Sequence, residues 1–176
     1  MVALMTVTVM TATSCTIEGG TPYDNTPVSS FEIDRYLGSW FEIARYDHRF
    51  ERGLTNAMAK YSLAADGTVK VENSGWEDGE KSTAEGVAKL TATPGLLRVS
   101  FFGPFFSDYR VLLVDEAYTY ALVGSKSRDY LWILCRTPRL TDEARATVLG
   151  EMSRRGYEKN DLIWVDHSRN FKLYNF

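Results

Sequence analysis

The fold is decided by the stretch Asp34-Arg35-Tyr36-Leu37-Gly38-Ser39-Trp40-Phe41-Glu42-Ile43-Ala44-Arg45. Asp34 opens a short turn, Gly38 permits a tight bend, and Trp40 begins a strand with alternating side chains. A tryptophan at the first position of a barrel strand can plug one end of that barrel. If the rest of the chain closes into a barrel, this stretch makes it a cup.

Eight segments of strand length follow one another, and turn residues separate them. They cover 40–46, 57–64, 69–73, 82–92, 96–102, 109–114, 118–124 and 130–136. The Asp66-Gly67 pair between two alternating runs is a strong hairpin signal. Strands at a spacing of roughly 8–12 residues indicate an all-β sandwich or barrel. We predict an all-β fold, an eight-stranded antiparallel up-and-down β-barrel.

If each strand reverses direction, the connections alternate between the two ends of the barrel. The connections at one end are short and lie at 38–40, 65–67, 93–95, 115–118 and the exit at Arg136. Most connections at the other end are longer or carry bulky residues, and they lie at 47–56, 74–81, 103–108 and 125–129. The pattern predicts one closed and one open end, and such a barrel can hold one small ligand.

One helix is predicted after the last barrel strand, over 142–155. Thr141 is a suitable N-cap, and Gly156 is a natural residue to end the helix. Its apolar residues recur at helical spacing, at Ala144, Val148, Leu149 and Met152. We expect this helix to pack on the outside of the barrel, and a short final strand to follow at 162–165.

Composition narrows the possible functions. The 176 residues carry a net charge of −3 without a basic stripe, so nucleic acid is not an expected partner. His48 and His167 lie far apart in the sequence, which argues against a histidine metal site. We expect no cofactor, no metal and no catalytic residue, and we assign residues 31–176 to a single barrel domain.

The N-terminal segment resembles a bacterial lipoprotein signal. Residues 2–12 are apolar and uncharged, and they are too short to span a bilayer as a helix. Small residues then lead to Cys15, which predicts a signal peptide over 1–15 that ends at an acylated cysteine; an ordinary cleaved signal is the alternative. Residues 16–30 are rich in Gly, Pro, Ser and Thr and are typical of a flexible tether. The residue after Cys15 is Thr16, whereas an Asp at this position would indicate retention in the inner membrane.

Three motifs at the predicted closed end resemble those of the lipocalin family. Gly38-Ser39-Trp40 resembles the lipocalin Gly-X-Trp motif, and 115–118, with Asp115 and Tyr118, resembles the motif at the turn between strands F and G. Arg136 resembles the arginine that ends strand H. The resemblance implies that Arg136 packs over Trp40 and seals the base, so we assign these five positions a structural role.

Longer segments resemble the bacterial branch of this family, whose members are outer-membrane lipoproteins related to animal apolipoprotein D. These segments lie at 35–38, 47–54, 99–105 and 128–134. The resemblance implies that the protein binds and carries or stores a long-chain fatty acid or lysophospholipid, and that two copies can form a homodimer. It also implies a membrane anchor on Cys15 and a location on the periplasmic face of the outer membrane.

Strand alternation selects candidate lipid-binding residues. If Arg136 caps the base from inside, then Tyr130, Trp132 and Leu134 also point inward. Cys135 then points outward, which does not fit the nucleophile of the prostaglandin-synthase lipocalins. Further candidates are aromatic residues of other strands, namely Tyr61, Phe101 and Tyr109, and of the predicted mouth loops, namely Trp76 and Phe105. We expect Phe101 to face the cavity, whereas the pattern leaves the direction of Phe105 open.

The loop at the open end carries Arg49, Phe50 and Arg52. One interpretation is a lid, in which Phe50 covers an acyl chain and an arginine pairs with a carboxylate or phosphate. The other is a solvated rim, because isolated surface charges contribute little.

The rival hypothesis is a lipocalin-fold enzyme acting on a lipid. It requires an acid, base or nucleophile inside the cup, and the sequence shows no Ser-His-acid pattern. Glu42 is the candidate, since a buried carboxylate can act as an acid or base. Pairing of Glu42 with a nearby arginine is the alternative.

Overall fold

A computed structural model describes residues 23–174, with no side-chain description at 171, 173 and 174. The predicted signal peptide, Cys15 and tether residues 16–22 lie outside the described residues. No helix of the described part combines the length and the apolar composition needed to cross a membrane.

Eight antiparallel strands close into a barrel, which confirms the predicted fold. Each strand pairs with its neighbours in sequence, and the first also pairs with the last. The strands are β1 Gly38–Tyr46, β2 Thr55–Leu63, β3 Val69–Glu77, β4 Glu80–Leu90, β5 Leu96–Phe102, β6 Phe105–Val114, β7 Tyr120–Gly124 and β8 Leu131–Cys135. β1, β3, β5 and β7 run from the closed end to the open end, so the loops after them form the mouth.

A ninth strand and three α-helices complete the described chain. On one edge of β1, β2 pairs only as far as Phe41. β9, Leu162–Trp164, pairs with the rest of that edge, at Ala44–Tyr46. The α-helices are α1 Ile33–Tyr36, α2 Asp142–Arg154 and α3 Ser168–Tyr174, and a 3-10 turn spans Lys159–Asp161. The predicted helix is therefore confirmed as α2, whereas α1 and α3 were not predicted.

Helix α2 begins and ends as its sequence predicts. Thr141 Oγ1 accepts a hydrogen bond from the Ala144 amide at 3.1 Å, and Gly156 follows the helix with a φ of 78°. Val148 and Met152 are fully buried against the outer wall of the barrel. The protein thus has two apolar cores, one inside the barrel and one between its wall and α2.

Two predicted mouth loops are in fact tight hairpin turns. The predicted loop 74–81 is a two-residue turn at Asp78-Gly79, where φ is 49° and 85°, because an Asp-Gly pair adopts the positive φ values of a hairpin turn readily. The predicted loop 103–108 shrinks to Gly103-Pro104, and β6 already begins at Phe105. The polar residues that look like loop in sequence lie on the solvent face of longer strands.

The chain before the barrel is more ordered than predicted. The Asp24 amide donates to the Arg155 carbonyl at 2.8 Å, and the Val28 amide donates to the Val111 carbonyl at 2.9 Å. The Arg155 guanidinium also donates to the Thr26 carbonyl at 2.8 Å. Residues 23–30, which the composition assigned to the tether, therefore belong to the packed domain.

Candidate functional site

The base of the barrel is closed by Trp40 and Arg136. The Trp40 side chain is fully buried, and the Arg136 guanidinium lies 3.8 Å from the centre of its ring. Arg136 also donates to the carbonyls of Ser39, Arg35 and Tyr118 at 2.8, 2.9 and 3.2 Å. One cation therefore ties β1, α1 and the β6–β7 turn together over the indole.

The turn between β6 and β7 holds its shape through Asp115. Its carboxylate accepts hydrogen bonds from the amides of Thr119 and Tyr120 at 2.6 and 2.8 Å. This arrangement keeps Tyr118 at a φ of 56°, and the Tyr118 hydroxyl accepts from the Glu32 amide at 2.9 Å. Gly38 has a φ of 93°, and a Cβ there would lie 3.4 Å from Arg136 Nη1. Its lack of a side chain therefore keeps the base compact.

Three tyrosine hydroxyls meet inside the barrel near Trp40. The Tyr109 hydroxyl lies 2.7 Å from that of Tyr36 and 2.9 Å from that of Tyr61. Burial raises the pKa of all three phenols, so they stay neutral. They form the hydrogen-bonded floor of the interior, above which the wall is apolar, with residues Ala59, Val71, Ala88, Leu97, Val123 and Leu134.

A buried ionic group occupies the half of the interior nearer the mouth. Arg45 Nη1 lies 2.7 Å from Glu42 Oε1, and both side chains are almost fully buried. Arg45 also donates to the carbonyls of Glu51 and Leu54, which fixes the β1–β2 loop. Burial, with the nearby Glu51 carboxylate, raises the pKa of Glu42 to about 8, against the opposing effect of Arg45.

The Glu51 carboxylate links this ionic group to Trp132 on β8. Burial would raise the pKa of Glu51, but hydrogen bonds from His48 and Trp132 outweigh it and lower the pKa. Trp132 Nε1 donates to Glu51 Oε2 at 3.0 Å, and His48 Nε2 lies 3.0 Å from the same oxygen. Tyr130 stacks on Trp132 with ring centres 6.1 Å apart. Aromatic and charged groups thus meet just inside the mouth.

A β-bulge brings Glu42 and Arg45 to the same face. Residues three apart on a regular strand point to opposite sides. Here the pairing with β8 shifts between Glu42 and Ala44, so Ile43 and Ala44 both pack outside. The sequence made Glu42 a candidate acid or base, with pairing to an arginine as the alternative. The structure shows this pairing, with Arg45. Alternation offered no signal for Arg45 or Glu51.

Five of the predicted lipid-binding residues line the interior. Tyr61, Tyr109, Trp132 and Leu134 belong to the inner core or pack against it, as does Phe101. The Phe101 ring fits because β4 has Gly86 opposite, where a Cβ would lie 2.8 Å from the ring. Tyr130, a sixth candidate, lies beside Trp132 at the mouth.

The other five predicted residues lie outside the interior. Phe50 and Phe105 are 63% and 79% exposed at the mouth, and Arg49 lies over the Phe50 ring at 5.0 Å. Arg52 pairs with Asp47 at 2.7 Å on the surface. Trp76 follows the inward Gly75 and so faces outward, where Arg169 of α3 lies 3.8 Å from its ring centre. The lid interpretation of the 47–54 loop is therefore not the arrangement in this structure.

Comparison with known proteins agrees with this geometry. The family model described as Lipocalin-like domain matches residues 31–167. The outer membrane lipoprotein Blc of Citrobacter freundii is 48% identical over 148 residues, which cover 82% of this chain and 84% of that protein. Blc of Escherichia coli K12 is 47% identical with the same coverage.

The same barrel occurs in solved structures at low identity. Insecticyanin from the tobacco hornworm Manduca sexta superposes with a TM-score of 0.72 at 22% identity, over 86% of this chain and 88% of its own. That likeness bears on the fold alone. The family match and the relatives, in contrast, lead to one conclusion: the chain belongs to the lipocalin family.

Proposed function

We propose that this lipocalin binds a long-chain fatty acid or lysophospholipid inside the barrel and carries or stores it without chemical change. The observation that carries the proposal is a barrel sealed at the base by Trp40 whose inner wall ends in partly exposed aromatic residues, Phe101 and Trp132. A closed floor with an apolar wall fits a ligand that enters by its hydrocarbon end. A polar head group then stays near the mouth.

The strength of binding follows from the length of the hydrocarbon chain. Each buried methylene contributes about 0.8 kcal/mol, so a 16-carbon chain can reach micromolar affinity after the cost of ordering it. Arg45, Glu51 and Tyr130 lie just inside the mouth, where a head group would stay in this pose. Arg49 and Arg52, to which the lid interpretation assigned the head group, lie on the surface instead.

We propose further that the protein is anchored through an acylated Cys15 on the periplasmic face of the outer membrane. The support is the lipobox-like sequence before Cys15 and the name outer membrane lipoprotein carried by the relatives. Several acyl chains on one cysteine would make the attachment stable, since two membrane-binding signals already suffice.

Native mass spectrometry of the full chain, purified in mild detergent, tests the binding proposal. We expect a co-purified mass that matches a fatty acid or lysophospholipid. Trp132→Ala should weaken the binding of added oleate about tenfold, because it removes an aromatic ring from the wall. Trp164→Ala is the matched control, since Trp164 lies on β9 under Arg145, outside the barrel. Equal effects of both variants, or no uptake by the wild type, would refute the proposal.

Glu42 supports one alternative function, a lipid-modifying enzyme. Its raised pKa leaves a carboxyl inside the barrel that can hold a proton at neutral pH. Arg45 Nη1 donates to one Glu42 oxygen at 2.7 Å, which favours a structural hydrogen bond instead. Incubation with a lysophospholipid and analysis of the products distinguishes the two. Conversion by the wild type that is lost in Glu42→Gln would establish the enzyme.

A further inference from the structure

Three large aromatic side chains at the mouth are exposed to solvent. Phe50 is 63% exposed, Phe102 is 78% exposed and Phe105 is 79% exposed. We refer to Phe50, Phe102 and Phe105 as the rim aromatics. Exposed rings of this size are unfavourable in water, and clustered ones mark an interaction surface.

The strand order places these rings on two of the four mouth connections. In the closed barrel, the β7–β8 loop lies between the β5–β6 turn and the β1–β2 loop. Phe102 and Phe105 flank the β5–β6 turn, and Phe50 lies on the β1–β2 loop. The β3–β4 turn lies across the mouth from the β7–β8 loop. Its exposed residues include three acidic ones, Glu77, Asp78 and Glu80, beside one basic residue, Lys81.

Basic side chains accompany the rim aromatics. The Arg49 guanidinium lies 5.0 Å from the Phe50 ring centre. Lys126 is exposed on the β7–β8 loop. Lys89 lies 4.6 Å from the ring centre of Phe106, but it belongs to the base end of β4. Long basic side chains can lie along an apolar surface and keep the charge at a phosphate layer. Aromatic rings with adjacent cations suit the interface of a lipid bilayer.

The described chain starts on the same side of the mouth. The Tyr23 hydroxyl donates to the Lys126 carbonyl at 2.7 Å, and the Asn25 amide group donates to the Ser125 carbonyl at 3.1 Å. Tyr23 lies eight residues after Cys15, so even a fully extended connection spans at most about 29 Å. An acyl anchor at Cys15 would therefore hold the β7–β8 side of the mouth close to the membrane.

We propose that the mouth docks on the bilayer that holds the anchor, with the rim aromatics inserted and the acidic β3–β4 turn facing away. Lipid then passes between the bilayer and the barrel without crossing bulk water. This inference rests on the acyl anchor and lipid binding proposed above. It adds the orientation of the protein and the route of its ligand.

Depth-dependent quenching tests the orientation. The full acylated chain is reconstituted into phosphatidylethanolamine–phosphatidylglycerol vesicles, with a fluorescent label on Phe102→Cys or on the matched control Leu63→Cys. Leu63 is 54% exposed at the closed end, Cys135 is buried, and peptide mass spectrometry verifies the labelled position. Lipid nitroxides placed about 5–10 Å deep should quench the label at position 102 several-fold more than the label at 63. Equal quenching at both positions overturns the docking proposal.

Lipid transfer separates this proposal from the binding proposal. The variant Phe50→Ser/Phe102→Ser/Phe105→Ser should extract fluorescent lysophospholipid from vesicles about tenfold more slowly, because it has lost its interfacial aromatics. It should still bind lipid that is added as monomer in buffer, because none of the three lines the interior. Unchanged extraction overturns docking while binding stands. A wild type that binds no monomeric lipid overturns the binding function, whatever the label at 102 reports about orientation.

Discussion

Replacing Arg136 with alanine should destabilise the protein more than any other exposed charge substitution at the base. The variant loses the contact with the Trp40 ring at 3.8 Å, which is worth about 1 kcal/mol. It also loses hydrogen bonds to the three carbonyls of Ser39, Arg35 and Tyr118. Since Arg136 is half-buried and water can reach part of this site, we assign about 2 kcal/mol to the three together.

The expected loss of about 3 kcal/mol corresponds to a fall in Tm of roughly 6–12 °C for a domain of this size. Urea unfolding of delipidated protein, followed by tryptophan fluorescence, measures the free energy of unfolding. Bound lipid must be removed because it stabilises the folded state. Lipid affinity should stay near that of the wild type, since Arg136 lies below the Trp40 plug.

Arg145→Ala is the matched control for this experiment. Arg145 also lies over a tryptophan, at 4.1 Å from the ring of Trp164, but Trp164 is 41% exposed. That variant should lose only about 0.5 kcal/mol. Arg136→Lys should fall between the two alanine variants, because a compact ammonium does not reproduce the fork of the guanidinium. If Arg136→Ala loses no more than Arg145→Ala, the cap does not stabilise the base as argued.

Three further predictions concern the wall, the ionic group and the thiol. Gly86→Ala should destabilise by about 1–3 kcal/mol in urea unfolding, because its Cβ would lie 2.7 Å from the Ser100 carbonyl, whereas Gly150→Ala on the open face of α2 should stabilise by about 0.5–1 kcal/mol. The pKa of Glu42 is raised from 4.5 to about 8 in the folded protein. The protonated carboxyl therefore stabilises the fold fully below the pKa of the unfolded chain, and this stabilisation is lost as the pH rises to about 8. Glu42→Gln should therefore flatten the fall in unfolding free energy between pH 5 and 8.5 by about 4 kcal/mol, and an unchanged slope would contradict the shift. Buried Cys135 should react with a thiol reagent at least about a hundredfold faster after unfolding, and rapid labelling of the native protein would contradict its burial.

Much of the barrel could be predicted because it depends on local signals. Alternation and turn residues located the eight strands, and the cap, apolar stripe and final glycine located α2. Strand ends at the mouth were less accurate. The Asp78-Gly79 pair carries the same hairpin signal as Asp66-Gly67, but it stands among polar residues of two strands that face water. In such a stretch, a solvent-exposed strand and a loop have similar composition.

The sequence alone determined the closed base of this protein, since Gly38, Trp40, Asp115 and Arg136 occur at strand ends that an up-and-down order brings together. Parity also placed Trp132 and Leu134 inside, because the side-chain period of two is a property of any strand.

Only the tertiary structure decided how the interior is charged and where the rim is apolar. The bulge between Glu42 and Ala44 turns Arg45 inward, and the extra residue depends on the register with β8 rather than on local preference. The direction of Phe105 and the path of residues 23–30 likewise depend on contacts with residues distant in sequence. Local dihedral preferences select strands and turns, whereas long-range pairing selects which face of a strand is buried.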